Sequence, residues 1–300
     1  MRVDPFFVTN LAGALDQTQS QEQQLTSELS SGVRVTSLSQ DPVASGENVV
    51  LLNQMERDDS FTQSSSIVQG QLQVADSALG SVVTQLTQAI SLATGANNGT
   101  INASQEQSIA NQLAGIRDEV TSLANTSYQG QYIFGGAQTL TPPFTTSTAT
   151  VPATTTYNGD QVVNNLQTPN GQLIQLNVPG SQVFPTTGSN SALQALNNLI
   201  ADYTTGAPIA TSVQDAQTLN TALNYLSQQR VTLDNSLTRL QASTEAVTNE
   251  KTQLTVTQTN LMQADLPQIS TQLSLTESQQ TALEDVIAKM GSGSLFNQLS

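Results

Sequence analysis

Histidine and cysteine carry much of the nucleophilic, acid–base and metal chemistry of proteins, and this sequence has neither. No Ser-His-Asp or Cys-His set can be built, and no thiolate or imidazole metal site. Carboxylates remain. Adjacent pairs such as Asp58/Asp59 and Glu284/Asp285 point apart on a helix, so they read as solvated faces and not as an acid–base couple. "FGGA" at 134–137 lacks the spacing and the lysine of a phosphate loop. Tyr132, Ile133 and Phe134 read as core and not as a ligand box. Asn98, Asn102 and Asn125 begin Asn-x-Ser/Thr sequons, and 145–156 is rich in threonine. Both features matter only where a host glycosylates them. The sequence therefore assigns no catalytic, cofactor-binding or metal-binding residue, and no cofactor; an enzyme is not expected.

Charge narrows the partners. With 8 basic against 23 acidic residues the chain carries −15, which disfavours nucleic acid and anionic membrane surfaces. Only 10% of residues are charged, so solvated faces must consist largely of Gln, Ser, Thr and Asn. No apolar run approaches the 18 residues of a membrane span. "MRVDPFFVTNLAGALDQTQ" also lacks the uninterrupted core of a secretory signal, so any export is expected to bypass a cleaved leader.

The elements come from periodicity. Leu11, Leu15, Thr18, Glu22, Leu25 and Leu29 keep four-three spacing, a coiled-coil seam with polar residues in its middle. Gly32 can end that helix in the left-handed conformation. Asp41 followed by Pro42 reads as an N-cap and first helical residue. A second helix then runs to about Thr94, with Val68, Leu72, Ala75, Leu79, Val82, Leu86, Ala89 and Ala93 in strict register. "GANNGT" at 95–100 breaks it. Ser104 with Gln107 fits a capping box for a third helix through Leu123.

Between 131 and 190 the glycines, prolines and short alternations such as Leu173–Leu176 predict a β-rich portion of at most six strands, closed by a helix at 191–203. Beyond 208 the helical seam returns: Leu219, Leu223, Leu226, Arg230, Leu233, Leu237, Leu240, and more weakly Val247, Leu254 and Leu261. Pro267 should bend it or shift its register. A last seam at Leu266, Ile269, Leu273, Leu283, Ile287 and Met290 is expected to stop at Gly291 and Gly293, before an apolar tail.

The expected fold class is α+β: a long antiparallel helical rod made by both chain ends, with a small inserted β-rich domain. The segments are a terminal helix and turn over 1–40, rod over 41–127, β portion with its closing helix over 128–205, rod over 206–264, and a terminal helix over 265–300. A monomeric bundle with a β cap is the alternative packing. The weak polar seams suit helices that stay loose until neighbours cover them.

Four blocks carry a likeness beyond periodicity. They are "MRV" at the start, "LSSGVRVTSLSQDPVASGENVVL" from residue 29, "LANTSYQGQYIFGGAQTLTPPF" at 123–144 and "NVPGSQVF" at 177–184. In these the chain resembles the flagellin family, and the resemblance covers nearly the whole length. Pro267 departs from the acidic, small-residue helix usual there. The resemblance implies an exported structural subunit of the bacterial flagellum, and the third block favours one that joins hook to filament. It implies as partners further copies of the chain, a neighbouring hook-associated protein, flagellin, and an export chaperone at the C-terminal region. It places subunit contacts at the polar turn and terminal seams, so the interface candidates are Leu11, Leu15, Leu25, Leu29, Arg34, Asp41, Pro42, Leu273, Leu283 and Ile287. Arg34 also reads as a solvated loop charge, and Asp41 as a cap alone. The filament subunit itself and a secreted coiled-coil adhesin remain open.

Overall fold

The structure is a computed structural model, describing residues 5–97 and 101–295. In chain order it contains α1 (Pro5–Ser31), α2 (Pro42–Ala96), α3 (Ala103–Ala124), β1 (Ser127–Tyr128), β2 (Gln131–Tyr132), β3 (Phe144–Ser147), β4 (Thr154–Tyr157), β5 (Asn165–Gln167), β6 (Leu173–Gln175), α4 (Gly180–Val183), α5 (Ala192–Thr205), α6 (Ile209–Met262) and α7 (Leu266–Leu295). The chain is α+β, long helices with a small antiparallel β portion. It divides into two compact units. One comprises Met1–Glu56 with Glu250–Ser300, the other Arg57–Asn249.

The Arg57–Asn249 unit holds nearly all of the core. On α2 the buried row reads Asp58, Phe61, Ser65, Val68, Leu72, Ala75, Leu79, Val82, Leu86, Ala89 and Ala93. This is the four-three register of the sequence, extended backwards. Asp58 was expected on a solvated face; it is fully buried because it occupies a seam position. From α3 come Leu113, Ile116 and Val120, and from α6 Leu219, Leu226, Leu233 and Leu240. Arg230 also sits in the α6 seam, half-buried, and meets Asp76 of α2 at 2.8 Å. An aliphatic stem with a paired head fits there without leaving a bare charge.

The start of α3 corrects the expected capping box. Asn102, not Ser104, is the cap: its Oδ1 accepts from Gln105 N at 3.0 Å, and Gln105 Oε1 accepts from Asn102 N at 2.9 Å. Asparagine caps as well as serine does, so the helix begins two residues earlier. A second sequon residue, Asn125, is equally occupied; both polar atoms of its side chain bond the backbone of Phe144 at 2.8 Å. Asn98 lies outside the described residues.

Among the described residues six strands form, as three separate two-stranded hairpins. What unites them is an aromatic knot. Phe134 and Phe144 each meet Phe184 edge-on at 5.6 Å, and Tyr157 packs on Phe144 at 5.1 Å. The Tyr157 hydroxyl donates to the carbonyl oxygens of Phe134 (3.0 Å) and Asp160 (2.7 Å), and burial pushes its pKa up. Gly180 donates to Phe134 O at 2.8 Å, closing the knot from a third stretch of chain. α5 then lies on α3, capped by Ser191 and ended by the left-handed Gly206. Near its C-terminus burial and the neighbouring Asp215 push the Asp202 carboxyl up to about 6.

In the unit of the chain ends, α1 packs along α7. Their shared apolar cluster is small: Leu25, Ala264 and Ile269, with Leu273 half-buried against them. Pro267 neither bends nor shifts a continuing helix. α6 has already stopped at Met262, and Pro267 lies in the first turn of α7, where its missing N–H costs nothing. Asp265 caps that turn, its Oδ1 accepting from Gln268 N at 3.2 Å. The expected stop at Gly291 is also corrected, because α7 continues to Leu295. Glycine weakens a helix by about 1 kcal/mol but does not by itself end one. Met290's side chain and the last five residues lie outside what is described.

Candidate assembly surface

The polar turn between α1 and α2 is built by satisfying two helix ends at once. Gly32, with φ +69°, takes the left-handed C′ position and donates to Glu28 O at 2.9 Å. The chain then runs beside the break between α6 and α7. Arg34 N donates to Met262 O at 2.7 Å, Ala264 N to Gly32 O at 3.0 Å, and Val33 bridges Gln263. Gln40 folds back, its Oε1 accepting from Thr36 N, Thr36 Oγ1 and Ser37 N at 2.7–3.1 Å.

Asp41 starts α2, Oδ1 accepting from Ala44 N at 3.0 Å. Its Oδ2 receives Arg34 Nη1 at 3.1 Å, while Arg34 Nη2 reaches Leu261 O at 3.3 Å. The Ala44 N–H first, and the Arg34 guanidinium second, hold the Asp41 carboxyl below its ordinary pKa. Arg34 is therefore more than a solvated loop charge: it ties the turn to the α2 cap and to the last carbonyls of α6. Periodicity could not show this, because the partners lie about 227 residues apart along the chain.

The other candidates divide by exposure. Leu11, Leu15, Leu273 and Leu283 are half-buried and Leu25 is buried, all on the inner faces of α1 and α7. Leu29 and Ile287 are exposed, as is Pro42. For Leu29 the sequence register fails in its last step: the buried residue there is Glu28, which accepts from Gln24 at 2.8 Å. At that level α7 has given way to the turn at 263–265, so no helix remains for Leu29 to meet.

Periodicity also missed a face. Where α2 and α6 run together in this unit, two amide hydrogen bonds join them. Gln54 Nε2 donates to Glu250 Oε1 at 2.6 Å, and Gln258 Nε2 to Asn48 Oδ1 at 2.9 Å. The aliphatic residues point outward: Val43 is 71% exposed, Val50 63%, Val49 and Val256 56% each, and Leu52 46%. An open hollow of about 460 Å3, lined by Pro42, Val43, Gly46, Val50 and Leu51, runs along this face. Leu51, Met55, Leu254 and Leu261 are half-buried beside these amides, yet the exposed aliphatic row is more than a self-contained bundle usually leaves in water. The signal was present in "NVVLLNQM" at 48–55, where eight consecutive apolar or amide positions outnumber what one seam can absorb.

Among the described residues no cluster of His, Cys, Asp or Glu is arranged to hold a metal ion, and no helix is long and apolar enough to cross a membrane.

Long helices, a β portion inserted between them and an outward aliphatic face define a structural, helix-packing type of protein. Comparison with known proteins shows what this type is similar to. Residues 8–139 match the bacterial flagellin N-terminal helical region. Flagellar hook-associated protein 3 of Salmonella typhimurium is 29% identical over 183 residues, 61% of this chain but only 56% of that protein. Its Escherichia coli counterpart is 27% identical over 225 residues, 70% of this chain and 68% of that protein. The crystal structure of the flagellar junction protein FlgL from Legionella pneumophila shares the fold, with a TM-score of 0.59, 14% identity, and coverage of 72% of this chain and 100% of that one.

Proposed function

We propose that this chain is a structural subunit of the bacterial flagellum, occupying the place of hook-associated protein 3 and joining hook to filament outside the cell. The observation that carries the reading is the exposed aliphatic row on α2 and α6, together with the very small α1–α7 cluster. Both leave apolar surface that neighbouring subunits would cover, at roughly 25 cal/mol per Å2. Assembly then proceeds by packing terminal helices between copies of the chain, with a second hook-associated protein on one side and flagellin on the other. Arg34, Asp41 and Pro42 hold the turn in the shape presented to those neighbours. An export chaperone would cover the C-terminal helix before assembly. The role is mechanical and requires no catalytic group.

The test is genetic and visual. A strain lacking this chain should make hooks without filaments and release flagellin into the medium, and the wild-type chain should restore filaments. A V43E/V50E variant, expressed and folded, should fail to restore them. Filaments on the deletion strain, or full rescue by the double variant, would refute the proposal.

A further inference from the structure

Charge is spread unevenly along this chain. There are 23 acidic and 8 basic residues in 300, yet residues 120–201 contain a single one, Asp160. An even spread would place about eight there. That one carboxylate is engaged, its Oδ1 accepting from Ala137 N at 2.8 Å and Val162 N at 3.0 Å. One charge reaches the hairpins from outside this stretch, Arg239 of α6 donating to Leu173 O at 3.2 Å on β6; the β3–β4 hairpin carries no charged side chain of its own, on a molecule of net charge −15.

This skin is also adhesive. Leu140 is 81% exposed, Val151 67% and Leu173 58%. On β3 and β4 the exposed side chains form the cross-strand pairs Thr145–Thr156 and Ser147–Thr154. Among the described residues each of these strands pairs only with the other, so each leaves one edge without a strand partner, the β3 edge being met by Asn125 at Phe144 alone. Exposed edges are usually guarded by charged side chains, lysine above all, because an unguarded edge is a template for another chain. No lysine or arginine lies between residues 118 and 229.

We infer that the uncharged β surface, centred on the β3–β4 hairpin, is a docking face for a second copy of this chain. Copies carrying −15 repel one another, and a neutral face is where they can approach without juxtaposing like charges. A basic partner gains nothing from such a face. A glycan would want an exposed aromatic platform, and every aromatic residue between 120 and 201 is buried or half-buried. The inference rests on the flagellar reading only for what brings the copies side by side.

The absence of cysteine makes the test clean. Single variants L140C, V151C and L173C, with E119C on the charged part of α3 as control, are treated with a short bismaleimide. Treatment is applied to the concentrated full-length protein and to flagella from strains carrying each variant as sole copy. Covalent dimer should form at one or more of the β positions at least tenfold above the control. In a V151C background, L140E/L173E should lower the yield at least fivefold at low salt, and high salt should recover part of it. Dimer no higher than the control in both preparations, an unaffected glutamate variant, or an adduct of different mass from another protein would overturn the inference. Variants present in flagella without dimer would sink this contact alone. Dimer in solution from a chain absent from flagella would sink the flagellar reading and leave the contact standing.

Discussion

The aromatic knot permits a quantitative test, because one substitution should act with opposite sign at two glycines of the same unit. A Cβ on Gly180 would lie 2.6 Å from Phe134 O, 2.7 Å from Tyr157 Cε2 and 2.9 Å from Phe144 Cε2. None of these atoms can yield cheaply: one is backbone, the Phe144 ring is packed against Phe184, and the Tyr157 ring against Phe144. Overpacking of this kind costs about 1–3 kcal/mol. Moving Gly180 away also weakens its bond to Phe134 O, about 1 kcal/mol more. G180A should therefore lose about 2–4 kcal/mol, or about 4–16 °C in Tm for a unit of this size. Gly115 on α3 has nothing within 4 Å of its would-be Cβ. G115A should gain about 0.5–1 kcal/mol, or about 1–4 °C, from helix propensity alone. Calorimetry of the two variants beside the wild type measures both. A G180A transition within 1 °C of wild type, or variants shifting in the same direction, would refute the packing argument.

Other outcomes follow from the same structure. Leu25 carries much of the small α1–α7 cluster, so L25A, at about 2–4 kcal/mol, should speed proteolytic cleavage of residues 1–40 and 265–300 while leaving the Arg57–Asn249 unit intact; equal cleavage of that unit would show the two are not separable. Wild-type protein should already be cut first in those end segments when dilute, and uniform protection of both would count against assembly by loosely held ends. Asp202, raised to about 6, keeps its proton in the folded state over a range where the unfolded chain has lost it. Stability should therefore fall as pH rises from about 4 to 6. D202N should remove that slope and be more stable at pH 7 by about 1 kcal/mol, after discounting for partial exposure. Identical pH–stability curves for the two proteins would reject this account. Asp41, held below its ordinary pKa, contributes the opposite way: its stabilisation is present above about pH 4 and is lost as pH falls through its folded value. D41A should fray the start of α2 at neutral pH, visible as faster amide exchange at Val43–Ser45, and unchanged exchange there would contradict the capping geometry.

Much of the molecule is legible from local rules. Helix positions follow from four-three spacing because a helix that packs must bury one stripe, and the Val68–Ala93 row appears in the core without exception. The cap at Asp41 and the left-handed Gly32 follow from backbone chemistry that needs only adjacent residues. The existence of short strands was equally readable from turn residues. The tertiary structure alone decided four things. It paired the strands as three hairpins around Phe134, Phe144, Phe184 and Gly180. It ended α6 before Pro267, and it tied Arg34 to Leu261. It also set which way the valines of α2 face, because a stretch with both amides and aliphatics can bury either, and the partner strand of chain, not the stretch itself, chooses. Local sequence fixes the conformations a segment prefers; only contacts between residues hundreds of positions apart determine which of its faces meets water.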